Sequence, residues 1–153
     1  MEKTLVFLKP STIQRGIIGE VISRFEKKGL FIMGMKMMQL TDELLDEHYS
    51  HLKDKPFFIK IKDSMEMCPV VVMCLKGVDA VSVVRSLVGV TNGRVAQSGT
   101  IRGDYSMSIQ ENIVHASDSL EMAEVELNRF FKKEEIFEYD HKLLLNLYAA
   151  DEW

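Results

Sequence analysis

The sequence has few cysteines, no long apolar runs and no excess of basic residues, three features that would each indicate a particular class of protein. Its two cysteines, Cys68 and Cys74, stand six positions apart, which suits neither a CxxC metal or redox motif nor a disulfide framework. We predict buried free thiols in a reducing compartment. No window approaches the roughly 18 apolar residues of a membrane helix, and the apolar stretch near the N-terminus is too brief for a signal peptide. We therefore expect a cytoplasmic chain without a membrane segment.

The charge balance also argues against one class of partner. The formal net charge is −4, and binders of nucleic acid usually display a basic face. Nucleic acid is therefore not expected as the primary ligand, and any anion site must be local.

Length and composition are those of an ordinary globular chain. There are 153 residues, of which 46% are hydrophobic and 27% charged, so a sizeable core can be buried. No internal repeat, low-complexity tract or linker-like segment divides the chain. We predict that residues 1–153 form a single domain.

The spacing of apolar residues predicts strands that alternate with helices. Alternation at period two predicts strands, and apolar residues at i, i+3, i+4 and i+7 predict helices. In the strand predicted after Gly29, the alternation puts Phe31, Met33, Met35 and Met37 on one face, so we expect these methionines in the core. The predicted strands are 4–8, 30–40, 69–75 and 105–109; the predicted helices are 18–28, 41–52, 80–88 and 120–130.

This order of elements favours an α/β sandwich of the α+β type. Strands separated by helices, with few hairpin returns, indicate helices packed on one sheet. We predict a ferredoxin-like βαββαβ antiparallel sheet with additional helices. The apolar strand 69–75 is expected in the middle of the sheet, covered on both faces.

A loop over 90–104 is unusually long for a compact domain and therefore a candidate functional segment. Just beyond it stands His115, the one histidine of four that lies after a predicted strand and before a capped helix. On position alone, a core or capping histidine remains the alternative. The stretch from the loop 90–104 to His115 contains several residues that can bind phosphate. Two cations elsewhere in the sequence, Lys9 and Arg85, are further candidates for the same site. The residues of the stretch itself are Thr91, Gly99, Thr100, Arg102, Gly103 and Asn112.

Several segments match a known pattern in order and spacing. They are TLVFLKP at 4–10, QRG at 14–16, KPFF at 55–58, GTIRGD at 99–104 and NIVHASDS at 112–119. Together they resemble the nucleoside diphosphate kinase family over nearly the whole chain. The pair GTIRG and NIVHASD carries most of the specificity.

The resemblance implies a function and a set of roles. His115 would be phosphorylated by a nucleoside triphosphate and would then donate to a diphosphate, with ping-pong kinetics and broad base specificity. Glu126 would orient His115, Ser117 would stand near the nucleophile, and Lys9 would serve both catalysis and binding. Mg²⁺ would be carried by the phosphates, with no metal ligand from the protein. The nucleotide-binding set implied by the resemblance is Lys9, Tyr49, Phe57, Arg85, Thr91, Arg102 and Asn112, with Phe57 against the base.

The sequence departs from the family pattern at a few positions. Ser11 and Thr12 replace the usual Asp-Gly, Ala116 replaces a glycine, and the loop 90–104 has no proline. The resemblance implies a homohexamer, with a tetramer still open because of that loop. Two other classes remain as alternatives: a non-catalytic nucleotide sensor or scaffold, and a ferredoxin-like RNA-binding module. The preferred base and sugar are not predicted.

Overall fold

The computed structural model describes residues 1–142 and 144–153, and it contains one four-stranded sheet with helices on both faces. Within these residues no helix has the length and apolar character needed to cross a membrane. The strands are β1 (Glu2–Leu8), β2 (Phe31–Met38), β3 (Val70–Gly77) and β4 (Val114–Ala116). The helices are α1 (Pro10–Gln14), α2 (Ile18–Lys28), α3 (Asp42–His48), α4 (Phe58–Glu66), α5 (Ala80–Val88), α6 (Ile101–Tyr105), α7 (Leu120–Phe130) and α8 (Leu144–Leu147).

The sheet has the strand order β2-β3-β1-β4, and every neighbouring pair is antiparallel. This is the order of a ferredoxin-like sheet, so the predicted fold class is confirmed. Strand β3 lies inside the sheet, as its continuous apolar run predicted. Strand β1 is also internal, and it is the strand that holds β4 in place.

Each face of the sheet carries its own apolar cluster. Side chains alternate along β1, so that Val6 and Leu8 join one cluster and Leu5 and Phe7 join the other. Helices α2 and α5 cover the first face, and helices α3, α4 and α7 cover the second. The second face is the one on which the candidate site is built.

The predicted helix signals are confirmed by local geometry. Helix α2 ends at Gly29, which adopts φ 98°, the left-handed conformation that glycine accepts most readily. Thr41 and Ser119 are the N-caps of α3 and α7, and the side-chain oxygen of Ser119 accepts a hydrogen bond from the backbone N–H of Met122 at 3.2 Å. The Ser119 cap fixes where α7 begins, and with it the position of Glu126.

The prediction that Met35 and Met37 lie in the core is wrong. A register shift between Ile32 and Gly34 interrupts the pairing of β2 with β3. Beyond this bulge the inward and outward positions are exchanged, since one extra residue reverses the alternation. Met33 is buried, but Met35 and Met37 are 54% and 59% exposed on an edge strand.

The predicted strand over 105–109 is also wrong, and the loop is shorter than expected. Thr100 caps helix α6 by accepting a hydrogen bond from the backbone N–H of Gly103 at 3.0 Å, so the segment turns into a helix. Met107 and Ile109 then lie exposed in an irregular segment. The fourth strand is the three-residue β4 instead, too short for a period-two pattern to reveal.

Two helices and one thiol depart from the sequence prediction as well. Helix α1 begins with Pro10 in its first turn, where the missing N–H costs nothing, so the proline that ends β1 also starts a helix. Helix α4 was not predicted. Cys74 is buried as expected, but Cys68 is only partly buried because it follows the C-terminal end of α4.

Candidate functional site

His115 lies in the middle of β4 rather than after a strand, directly opposite Phe7 of β1. Residues opposite each other in an antiparallel pair point to the same face, so His115 faces the layer formed by α3 and α7. Its ring stacks on Phe7, with the ring centroids 4.6 Å apart, and its side chain is 19% exposed. The ring is therefore held flat against the sheet while part of it remains open to solvent.

Glu126 of α7 holds one nitrogen of this ring. The Nε2 atom of His115 lies 3.0 Å from Oε1 of Glu126, and the hydroxyl of Ser117 donates to Oε2 at 2.5 Å. Burial opposes ionisation of Glu126, but the hydrogen bonds from His115 and Ser117 lower the pKa of Glu126 overall. An ionised carboxylate only accepts hydrogen bonds, so Nε2 of His115 carries the proton. Its Nδ1 then bears the free lone pair.

The backbone just before β4 is strained. Ile113 adopts φ 75°, a region that β-branched residues rarely enter. Its carbonyl accepts hydrogen bonds from the backbone N–H of Lys9 at 2.9 Å and from the hydroxyl of Thr12 at 2.5 Å. These two bonds hold the backbone of Ile113 in this conformation. They thereby fix the path of the chain into β4, where His115 lies.

Lys9 follows β1 and is almost completely buried, with 9% of its surface exposed. Its ammonium donates to the carbonyl of Gln110 at 2.9 Å. Burial, followed by repulsion from Arg102, lowers the pKa of Lys9 to about 8, while Glu111 acts in the opposite direction. An anion beside this ammonium would favour its charged form.

Arg102 of α6 is bonded to three backbone carbonyls. Its Nε donates to Asn112 at 3.2 Å, Nη1 to Gly89 at 3.0 Å and Nη2 to Val114 at 2.8 Å. The guanidinium has five N–H donors, so two remain for a ligand. Burial and the nearby Arg85 lower the pKa of Arg102 to about 10.

Asn112 connects the loop after α5 to the strained segment. Its side-chain amide donates to the carbonyls of Thr91 at 3.0 Å and Ile109 at 2.7 Å. Its Oδ1 is buried and has no hydrogen-bond partner within the described part of the chain. Thr91 itself is exposed, so its hydroxyl is open to solvent.

The remaining predicted residues lie at the margins of this cluster. Arg85 is exposed and pairs with Asp118 at 2.7 Å, a contact between two solvated groups that contributes little to stability. Tyr49 packs edge-on against His48, and burial raises the pKa of its hydroxyl. Phe57 is 45% exposed just before helix α4. No side-chain hydrogen bond or ring contact joins Phe57 to the cluster among residues 1–142 and 144–153.

Sequence reasoning missed three residues of the site. Thr12, noted only as a departure from the family pattern, donates to Ile113. His48 lies edge-on to His115 with ring centroids 4.5 Å apart, and Arg129 lies beside His48. In the sequence His48 belonged to the apolar stripe of its helix, and no spacing rule connects positions 48, 115 and 129.

One group of three side chains has ligand atoms close enough for a metal ion. In the described part of the chain it consists of His48, His115 and Glu126, with these atoms within 4.8 Å of one another. However, Glu126 already accepts from His115 and Ser117, and the cation Arg129 lies 3.3 Å from His48. This donor set suits a hydrogen-bonded histidine better than a metal cage.

The chain is similar to a well-populated set of proteins. The family model described as nucleoside diphosphate kinase matches residues 2–136. A curated nucleoside diphosphate kinase from Parabacteroides distasonis is 69% identical over 153 residues, covering 100% of both chains, and one from Pyrococcus horikoshii is 52% identical over 141 residues, covering 90% of each. The solved structure of a halophilic nucleoside diphosphate kinase from Halobacterium salinarum in complex with CDP has a TM-score of 0.93 at 39% identity, covering 96% of this chain and 98% of that one.

Proposed function

Because the chain belongs to the nucleoside diphosphate kinase family and is a phosphotransferase of that family, we propose that it carries the phosphate in transit on His115. The observation that supports this most is the 3.0 Å hydrogen bond between Nε2 of His115 and Glu126. It leaves Nδ1 as the nucleophilic nitrogen of a partly exposed ring. Stacking on Phe7 also restricts the orientation of the ring, which favours attack in one direction.

In the first half-reaction the lone pair of Nδ1 attacks the γ-phosphorus of a nucleoside triphosphate. The bond from that phosphorus to the bridging oxygen breaks, and the diphosphate leaves with the electron pair. The imidazole becomes positively charged, and the ionised Glu126 stabilises that charge through Nε2–H. In the second half-reaction the terminal oxygen of another diphosphate attacks the phosphorus carried by His115. The bond from that phosphorus to Nδ1 breaks, its electron pair returns to the imidazole, and this two-step transfer gives ping-pong kinetics.

The phosphates would be bound by a group of like charges. Burial, together with repulsion between Lys9 and Arg102 and between Arg102 and Arg85, lowers the pKa values of Lys9 and Arg102. A polyanion relieves that repulsion, and Arg102 has two unused donors to offer it. We propose Tyr49, Thr91 and Asn112 as further partners of the phosphates and ribose.

The base would lie against Phe57. Its ring is half exposed, and an aromatic face accepts purines and pyrimidines alike, which agrees with broad base specificity. Mg²⁺ fits as a companion of the nucleotide rather than of the protein, because the proposed phosphate partners Lys9, Arg85 and Arg102 are cations and the nearby carboxylate of Asp118 is paired with Arg85. The chemistry it would supply is charge neutralisation on the β- and γ-phosphate oxygens.

The experiment that tests this function measures transfer of a labelled γ-phosphate from ATP to the protein and then to GDP. The protein is mixed with γ-labelled ATP and Mg²⁺, freed of nucleotide, digested and mapped by mass spectrometry, and a second portion is treated with GDP. We expect acid-labile label on the peptide that contains His115, and its transfer to GDP to form GTP. If the protein binds nucleotide but carries no label, the result would favour a non-catalytic sensor or scaffold instead.

The pH dependence of nucleotide binding provides a further prediction. Lys9 is charged below its pKa of about 8 and neutral above it, so ADP should bind more weakly as the pH rises from 7 to 9. We expect the dissociation constant to increase about tenfold by pH 9, the factor for a site that binds only when that group is protonated. Calorimetric titration of wild type and Lys9→Met measures it. Equal pH slopes in the two proteins would remove Lys9 from the binding site.

We also propose that the chain forms a homohexamer, with a tetramer as the alternative. The exposed Met35 and Met37 on the edge strand β2 support self-association, because exposed apolar side chains on an edge strand favour contact with another chain. Size-exclusion chromatography with light scattering should give six times the mass of one chain. A monomer at micromolar concentration would contradict the proposal.

Two smaller assignments accompany it. We propose that residues 1–153 act as one domain, supported by the two apolar clusters that share a single sheet. We further propose a cytoplasmic location, supported by the free thiols of Cys68 and Cys74.

A further inference from the structure

His48 is a buried histidine beside the nucleophile with no part in the chemistry described above. It is the last residue of α3, is 6% exposed, and meets the ring of His115 edge-on with an interplanar angle of 78°. Its Nδ1 lies 3.3 Å from Nη1 of Arg129 and 3.7 Å from Oε1 of Glu126. It therefore contacts both a cation and the carboxylate that holds His115.

These distances determine which atom of His48 carries the proton. Arginine only donates hydrogen bonds, so Nδ1 of His48 accepts from Arg129 and is unprotonated. The separation of 3.7 Å from Glu126 is too long for a hydrogen bond. The proton is on Nε2, which is buried and unpartnered within the described residues. His48 is thus neutral and adds no charge beside Glu126.

Arg129 and Glu126 would otherwise be natural partners. They are three residues apart on α7, a spacing that brings side chains together on a helix surface. Yet among the described residues Arg129 forms its ion pair with the exposed Glu47, at 2.7 Å, and not with Glu126. His48 Nδ1 lies close to both groups and accepts one of the guanidinium donors. A fork-shaped pair of arginine and carboxylate is stronger than a single bond to imidazole, so the terminal nitrogens of Arg129, once released from His48, would compete for Glu126 while Nε stays bonded to Glu47.

We propose that His48 is a positioning residue that engages Arg129, so that Glu126 remains hydrogen-bonded to Nε2 of His115. This rests on the proposed role of His115 as the phosphorylated residue. Without an acceptor at position 48, Arg129 pairs with Glu126, and His115 loses the partner that fixes its tautomer. Part of the His115 population then carries its proton on Nδ1, which removes the nucleophilic lone pair.

Two substitutions separate this role from packing. His48→Asn keeps an acceptor near the Nδ1 position but loses most of the ring. His48→Phe keeps a ring against Phe7, Tyr49 and Phe130 but loses the acceptor. A positioning role predicts that the asparagine variant is the more active of the two, whereas a packing role predicts the reverse order. If His48→Phe does not fold, His48→Leu replaces it.

The readouts are the rate of His115 phosphorylation by saturating ATP in a single turnover, the dissociation constant of ADP, and ¹⁵N NMR of the His115 ring. In His48→Phe we expect the phosphorylation rate to fall between about 10-fold and 100-fold, as for displaced supporting groups. The dissociation constant should change less than about twofold, because the phenylalanine ring keeps the edge-on contact with Tyr49, and Lys9 and Arg102 are not altered. The ¹⁵N shifts should move from the Nε2–H tautomer toward a mixture.

The decisive control is the double variant His48→Phe with Arg129→Met. Removal of the competing guanidinium should restore most of the phosphorylation rate and the Nε2–H tautomer. A double variant as slow as His48→Phe, or a phenylalanine variant faster than the asparagine variant, would overturn the proposal. If wild type itself forms no phosphohistidine, the failure lies in the proposed function, which separates the two outcomes.

Discussion

His115→Ala is expected to lower kcat by about 10⁴-fold or more, the scale seen when a nucleophile is removed from an enzyme. In the proposed mechanism, loss of Nδ1 leaves no group to accept the γ-phosphate, whereas the proposed phosphate partners Lys9 and Arg102 are retained. The dissociation constant for ADP should therefore stay within about threefold of wild type, because ground-state binding is retained. Coupled-enzyme kinetics and calorimetry measure the two quantities on the same preparations.

The matched control is His51→Ala. His51 is an exposed histidine in a short helical turn close in sequence to His48, and it makes no contact with His115 among the described residues. Its substitution should leave kcat unchanged. If His115→Ala retained more than about one hundredth of the wild-type kcat, a phosphorylated His115 would be excluded as an obligatory intermediate.

Arg102→Met is expected to remove both activity and a large part of the stability. The three backbone carbonyls that Arg102 satisfies belong to Gly89, Asn112 and Val114, and each would lose its charged donor. At about 1 kcal/mol or more per buried bond, the free energy of unfolding should fall by about 3 kcal/mol. The loss of phosphate donors should lower kcat/KM by about 100-fold or more.

Denaturant unfolding at fixed chain concentration measures the first effect and steady-state kinetics the second. Arg94→Met is the control, because Arg94 is an exposed arginine of the same loop with one bond to the carbonyl of Met107 at 3.3 Å. Its unfolding free energy should change by less than about 0.5 kcal/mol. A decrease below about 1 kcal/mol in Arg102→Met would mean that water replaces the guanidinium at these carbonyls.

Much of the fold could be predicted because its signals are local. The helices that cover the first face follow a 3.6-residue pattern, and Gly29 and Ser119 mark ends through their own conformation or side chain. The wrong predictions concern strands whose structure is decided by pairing with distant segments of the chain. The bulge near Ile32 depends on how β2 meets β3, and a three-residue strand such as β4 exists only because β1 supplies its partner.

In the candidate site, too, the residues with local sequence signals could be predicted and those placed by long-range contacts could not. The motif around His115 singles out this histidine through resemblance, and the helical spacing predicts that Glu126 faces it. The strain at Ile113 and the layer formed by His48 and Arg129 could not be read from the sequence. They depend on contacts across 81 residues or more, such as that between Arg129 and His48, and no periodicity reports such contacts.

The central position of β1 has a consequence for how the chain folds during synthesis. Residues 2–8 leave the ribosome before both of their neighbours in the sheet, residues 70–77 and 114–116. Strand β1 therefore waits for β4, and the edge of β1 that pairs with β4 stays available to other nascent chains until then. Such long-range pairing slows folding, and it delays formation of the surroundings of His115 until residue 116 has been translated.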